Sequence, residues 1–415
     1  MDIKKILSNK ILKNGVWLYF LQIFNTVLPL LTLPYITRVL SVSQYGVFSI
    51  ALNLVVYLQV IVEYGFDMSA TRKVSLMNDN NDAKKYNEIF TSVLLSRLLL
   101  LLVSFGIVLV YILLIGDNQI QNLALLMLFL SVVGSFLQQN WLFQGLQEMK
   151  YISIINMISR TISVILIFTL VKKPSDLLLY CFLYSISPII SGVLGIIIAK
   201  RNFGIKLVKL TLSKLIIELK DGWYVFTTSL SGKIFGAIGI TFLGIFSEED
   251  IVGTYSAIQK IPSMLLLMWM PIGQVLYPVV SGKMKNSFEE GKNFVYKSRR
   301  IIMPFFIIIV ILISMFSKDI VSLAFGEQYI EYSYWIIPLS IWMLFAINNN
   351  FLGIQILLGS GKDKEYSQCF QIGVIFTIIL NFIFIYFFQG NGASWAPLIS
   401  EVLLSIMLIR KIKKI

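Results

Sequence analysis

The chain is dominated by uninterrupted apolar blocks, of which RLLLLLVSFGIVLVYILLI, over 97–115, is representative. Each block meets or exceeds the ~20 residues that a helix needs to cross ~30 Å of hydrocarbon. Inside lipid the backbone N–H and C=O groups find no water, so each block has to satisfy them internally as a helix. Of the 415 residues 57% are hydrophobic and 14% charged, against roughly 25% charged in a soluble domain. The reading is an all-α polytopic membrane protein of about twelve spans. They run approximately over 14–37, 45–66, 89–115, 119–146, 151–171, 176–199, 221–246, 251–280, 300–317, 332–358, 366–388 and 393–410. The blocks 119–146 and 251–280 are longer than a straight crossing requires, so they are expected to tilt, bend or project into water. The basic start MDIKKILSNKILKNG runs into a span too long for a signal-peptide core and shows no small-residue cleavage site.

Lys and Arg set the orientation, because they accumulate on the cytoplasmic side. With the N-terminus inside, 27 of the 35 fall at inside segments. They begin with Lys4, Lys5, Lys10 and Lys13 and finish with Arg410, Lys411, Lys413 and Lys414. Only four, Arg38, Lys172, Lys173 and Lys318, fall outside. Both termini are therefore expected in the cytoplasm, with the protein in the inner membrane. The net charge of +13 belongs to the cytoplasmic leaflet rather than to nucleic acid. The stretch TLSKLIIELKDGW (211–223) mixes Leu and Ile with Lys at helical spacing. It is expected to lie in the interface before turning into span seven.

Several chemistries are excluded by residue type. Histidine, the commonest general base and metal ligand, does not occur. The two cysteines, Cys181 and Cys369, both sit in apolar blocks and read as buried thiols. No metal-ligand cluster and no phosphate-binding loop is present, so no cofactor is expected, and any energy the protein needs would come from a proton or sodium gradient or from consumption of the product. Coupling to an ion would run on carboxylates. Glu63 and Asp67 near the inner end of span two and Glu401 in the middle of span twelve are the candidates.

The two halves of the chain echo each other. NGVWLYF (14–20) is similar to DGWYVF (221–226), and QYGVFSIA (44–51) to IVGTYSAI (251–258). Gly15 and Gly46 stand 31 positions apart, as do Gly222 and Gly253, and both pairs are offset by 207. The chain reads as two six-span lobes, 1–205 and 206–415. An even number of spans per copy makes the copies parallel, related by an axis along the membrane normal.

EYGFDMSATRKVS (63–75), followed by IFTSVLLSR (89–97), resembles the Wzx-type flippases of lipid-linked polysaccharide repeat units, in the multidrug/oligosaccharidyl-lipid/polysaccharide exporter superfamily. QQNWLFQGLQEMKYISIINMISR (138–160) is its most specific stretch. The resemblance extends over the whole chain through span count, repeat and loop sizes. It implies a V-shaped bundle and a flippase, not an enzyme, that carries undecaprenyl-pyrophosphate-linked O-antigen or capsule units outward by alternating access. It further implies membrane lipid, the polysaccharide polymerase and the chain-length machinery as partners, and spans one, two, seven and eight as cavity lining.

Four cations lie within spans: Arg97, Arg160, Lys233 and Lys260. A cation at a helix centre costs ~2.5–3.5 kcal/mol on the insertion scale, so each needs a partner, a water-filled cavity or an escape to the interface. Lys233 has roughly 18 Å of helix on either side, beyond the reach of a snorkelling side chain. A net cationic interior suits a pyrophosphate, which Lys and Arg bind through charge-assisted hydrogen bonds. Gln22 and Asn25 in span one and Asn53 in span two are neutral partners for sugar hydroxyls, with interhelical hydrogen bonding as the competing role. The run INNN (347–350) in span ten reads as helix packing or unwinding. Two rival functions are weighed. A multidrug exporter of the same superfamily would want acids in the cavity for cationic drugs. A membrane glycosyltransferase or polymerase would want an acidic cluster on a sizeable outer loop, and FSEEDIVG (246–253) is too short to build one.

Overall fold

The computed structural model describes residues 10–77, 83–210 and 212–414. Lys4, Lys5 and the rest of the basic start before residue 10 lie outside the described residues, as does Thr211. The described residues are helical, and no strand occurs among them. In chain order the helices are α1 (Lys10–Val39), α2 (Val42–Glu63), α3 (Phe66–Ser75), α4 (Ala83–Leu114), α5 (Gln119–Leu137), α6 (Asn140–Gly145) and α7 (Met149–Leu170). They continue with α8 (Leu177–Phe203), α9 (Leu212–Phe246), α10 (Glu249–Asn286), α11 (Phe288–Met315), α12 (Ser317–Phe325), α13 (Ile336–Asn349) and α14 (Asp363–Ile412).

Among the described residues, eleven stretches are long and apolar enough to cross a membrane. The last of them holds two crossings. At 50 residues α14 would run about 75 Å if straight, more than twice the hydrocarbon thickness. Its backbone breaks at Gln389, where φ is 47° and ψ −123°. A Cβ on Gly392 would lie 1.9 Å from the carbonyl oxygen of Phe384, eight residues earlier. In a continuous helix those residues are about 12 Å apart, so the chain has doubled back. The expected spans 366–388 and 393–410 are the two arms of this hairpin. The protein is a multi-pass, all-helical membrane protein of eleven to twelve long apolar helices.

Long blocks are broken where local chemistry demands it. The 119–146 block divides at Gln138 and Gln139 into α5 and α6. The side chain of Asn118 starts α5 by accepting from the N–H groups of Ile120 and Gln121, which would otherwise lack helical partners. Span two ends at Glu63; Tyr64 and Gly65 then take φ of 47° and 74° before α3 begins. The 251–280 block is one helix, α10, with Pro262, Pro271 and Pro278 inside it. The stretch 211–223 corrects the expectation of an interfacial segment that turns. From Leu212 it runs without interruption into α9, because no proline interrupts it and its acids Glu218 and Asp221 are tied to Lys73 of α3.

The chain folds as two compact units. The first comprises the described residues of Met1–Tyr35 with Ile50–Lys233, and the second comprises Ile36–Ser49 with those of Ile234–Ile415. The end of α1 and the start of α2 thus belong to the second unit, and the first part of α9 to the first. In the first unit Phe66, Val74, Phe90, Trp141 and Leu142 form a buried core. In the second, Trp269, Phe306, Met343, Phe351 and Leu408 do so.

Within the second unit the two glycines paired by the 207 offset, Gly46 and Gly253, lie at the crossing of α2 and α10. A Cβ on Gly46 would lie 1.9 Å from the carbonyl oxygen of Glu249, and one on Gly253 would lie 2.2 Å from that of Val42. Val42 and Glu249 are themselves offset by 207. Residue i of one copy meets residue j of the other and the converse also holds, which is the signature of a two-fold relation. Only glycine lets α2 and α10 cross this closely.

Candidate functional site

The first unit gathers four of the sequence-derived candidates. Glu63 closes α2, Asp67 opens α3, Arg97 comes from α4 and Lys233 from α9. Glu63 stands within electrostatic reach of Asp67, Arg97 and Lys233. Arg97 is 1% exposed. Its guanidinium donates to the carbonyl of Gln138 at 2.8 Å and to Asp67 Oδ1 at 3.0 Å, and it lies 5.8 Å from the centre of the Phe66 ring. Arg97 therefore caps the carbonyl left open where α5 breaks and anchors the start of α3. Asp67, an ion-coupling candidate, is thus engaged by a cation from a different helix.

The position of Lys233 is set by the first part of α9. Lys73 Nζ bridges Glu218 Oε2 and Asp221 Oδ2, each at 2.8 Å, and Lys214 meets Glu88 at 2.7 Å. The Tyr64 and Phe226 rings stack at 4.6 Å. Gly65 and Gly222 provide the space, since a Cβ on either would meet Val225 at 2.6 Å or Tyr64 at 3.0 Å. Lys233 lies seven positions beyond Phe226, about 10 Å further along α9. It is exposed and makes no hydrogen bond or ion pair among the described residues.

Three neutral candidates sit on the same unit. Gln22 and Asn25 on α1 are half-buried, and the side-chain oxygen of Asn25 is shielded without a hydrogen-bond partner. Asn53 on α2 is buried. Arg160 on α7 is half-buried and interacts electrostatically with Tyr184 of α8, apart from the Glu63 group.

Lys260 and Glu401 belong to the second unit. Lys260 is exposed on α10, two residues before Pro262, and has no hydrogen bond or ion pair among the described residues. Glu401 is buried. Asn349 Nδ2 donates to its Oε2 at 2.6 Å and to its backbone oxygen at 2.8 Å. Asn348 Nδ2 donates to Ser405 Oγ at 3.3 Å, and Ser405 in turn bonds Asn349 Oδ1. Directly after Asn349 the backbone opens into a π-helix, Asn350–Leu357, and Gln355 donates to the carbonyl of Gly273 at 3.0 Å. Of the two roles expected of the INNN run, packing is the one its amides perform; the backbone widens at Asn350 and stays helical. Sequence reasoning missed that the run holds Glu401, and it missed the Lys73 clamp. The available signals were a row of amides in an apolar block and acids at 218 and 221 in a helical stretch.

Residues 11–284 match the family described as polysaccharide biosynthesis protein. The chain belongs to that family. Among curated relatives, one named "Putative O-antigen transporter" from Escherichia coli (strain K12) is 25% identical over 397 residues, covering 96% of this chain and 95% of the relative. Among solved structures, the lipid II flippase MurJ in an inward closed conformation aligns with a TM-score of 0.73 at 16% identity, over 96% of this chain and 87% of that one. An inward-facing multidrug resistance transporter of the MATE family and MOP superfamily aligns with a TM-score of 0.67 at 13% identity, over 94% and 98%. At such identities the two structures bear on the fold alone, which this family member shares with them.

Proposed function

We propose that the protein is a flippase that moves undecaprenyl-pyrophosphate-linked oligosaccharide units from the cytoplasmic to the outer leaflet of the bacterial inner membrane. The observation that carries this reading is the match, over nearly the whole of both chains, to a relative named as an O-antigen transporter. The two exposed cations without hydrogen bonds or ion pairs among the described residues, Lys233 and Lys260, support an anionic cargo. A charge held in the membrane without a hydrogen-bonded protein partner is stabilised by water or by a ligand of opposite sign, and a pyrophosphate supplies one. Gln22, Asn25 and Asn53 serve the sugar hydroxyls. Arg97, with both arms engaged, holds the frame of the first unit that carries Lys233, and Arg160 is a further contact.

In this reading the two six-span lobes, 1–205 and 206–415, alternate access around the cargo, both termini face the cytoplasm, and a proton or sodium ion couples through Glu63, Asp67 or Glu401. The polymerase and chain-length machinery take over the product. The test is transport of a defined undecaprenyl-pyrophosphate oligosaccharide in vesicles containing the purified protein. Oligosaccharide should become accessible on the far leaflet only in the presence of the protein. Export of a cationic dye without movement of the sugar lipid would overturn the proposal in favour of a drug exporter.

A further inference from the structure

The two arms of α14 enclose a cavity of about 430 Å³ at the end of the bundle that carries the C-terminal basic cluster. One arm contributes Gln368 and Ile372, and the other contributes Met407, Arg410, Lys411 and Lys414. The spacings are helical: positions four apart on the first arm, and 407, 410, 411 and 414 on the second, present a single face. Lys411 Nζ bonds Gln368 Oε1 at 3.3 Å and so joins the two walls. None of the three cations forms an ion pair among the described residues, although Asp363 and Glu365 lie in the first turn of the same helix.

The cavity is polarised along the axes of the two arms. Ile372 stands four residues deeper than Gln368, about 6 Å along the helix, and Met407 three residues deeper than Arg410, about 4.5 Å. Ile372 is 43% exposed, so the deep end offers apolar surface and the shallow end three positive charges. That is the polarity of a phospholipid, with phosphate at the interface and chain below it. A soluble phosphate would use the cations and leave the apolar end unused. Basic pockets between transmembrane helices select anionic headgroups in this way.

We infer that the hairpin of α14 holds an anionic phospholipid of the surrounding bilayer, with its phosphate on Arg410, Lys411 and Lys414 and its first acyl methylenes against Ile372 and Met407. The site is separate from Lys233 and Lys260, and it does not depend on what the transporter carries.

Native mass spectrometry of the full chain with added phosphatidylglycerol or phosphatidylcholine tests this. The wild type should retain phosphatidylglycerol in preference to phosphatidylcholine. Phosphatidylglycerol retention should fall at least about tenfold in the triple variant Arg410→Gln/Lys411→Gln/Lys414→Gln, since each surface cation adds to the attraction for an anionic lipid. The charge-matched control Lys285→Gln/Lys297→Gln/Arg299→Gln should retain it. Ile372→Trp, which fills the deep end and keeps every charge, should lose it as well. Equal losses in the two triple variants would reduce the site to a diffuse basic collar and overturn the inference. So would retention by Ile372→Trp together with displacement by inorganic phosphate, which would make it a free-anion site.

Discussion

Lys233 and Arg97 look alike in the sequence, each a cation well inside an apolar block, but their surroundings separate them. Arg97 is buried with two hydrogen-bonded partners, so its removal strands the Gln138 carbonyl. Arg97→Ala should lower thermal stability in detergent by about 1–3 kcal/mol, the cost of an unsatisfied buried group, and should lower membrane abundance with it. Lys233→Ala should leave abundance unchanged while transport of the sugar lipid falls, with Lys233→Arg partly active and Lys233→Glu inactive; normal transport by Lys233→Ala would remove it from the site. Glu401→Gln keeps an acceptor for Asn349, so its melting temperature should stay near that of the wild type. If Glu401 couples an ion, the response of this variant to a proton or sodium gradient disappears, and an unchanged gradient response assigns Glu401 to structure alone.

The crossing of α2 over α10 leaves no room for a side chain. Gly46→Ala and Gly253→Ala each place a methyl against a backbone oxygen that cannot rotate away, so both should destabilise the protein, most simply measured as a drop in melting temperature. Gly15 and Gly232, with nothing within 4 Å of an added Cβ, should accept alanine without loss. Helix existence was legible in the sequence because lipid leaves the backbone no alternative, and the close crossing of α2 and α10 was signalled by two matching glycine spacings. The breaks were less legible. The division at Gln138 and Gln139 is stabilised by Arg97, 41 positions away from Gln138, and the widened turn after Asn349 lies next to partners on the far arm of α14. Such pairings arise in three dimensions and leave no periodic trace. The candidate site was legible as a list of charges in apolar blocks; which of those charges find partners was not.

At the scale of the molecule, the distribution of Lys and Arg predicts which face is cytoplasmic, and cysteine labelling in a cysteine-free background checks it. Single cysteines at Asp117, Glu248 and Lys173 should react with an impermeant reagent added outside, and one at Lys84 should not. These positions are preferable to Asn118 and Asn391, whose side chains cap α5 and accept from Tyr334 and Trp335. The reverse pattern would invert the topology and, with it, the direction proposed for transport. The buried amide network of the second unit also bears on how the protein is made. Asn349 leaves the ribosome 52 residues ahead of Glu401, which at ~5–20 residues per second is a delay of about 3–10 s. During that interval the tenth span carries polar side chains into the bilayer before their permanent partners exist. Final assembly of this half therefore waits for the last hairpin, and a nascent chain stalled before residue 401 should be a substrate for membrane proteolysis even though every earlier span is complete.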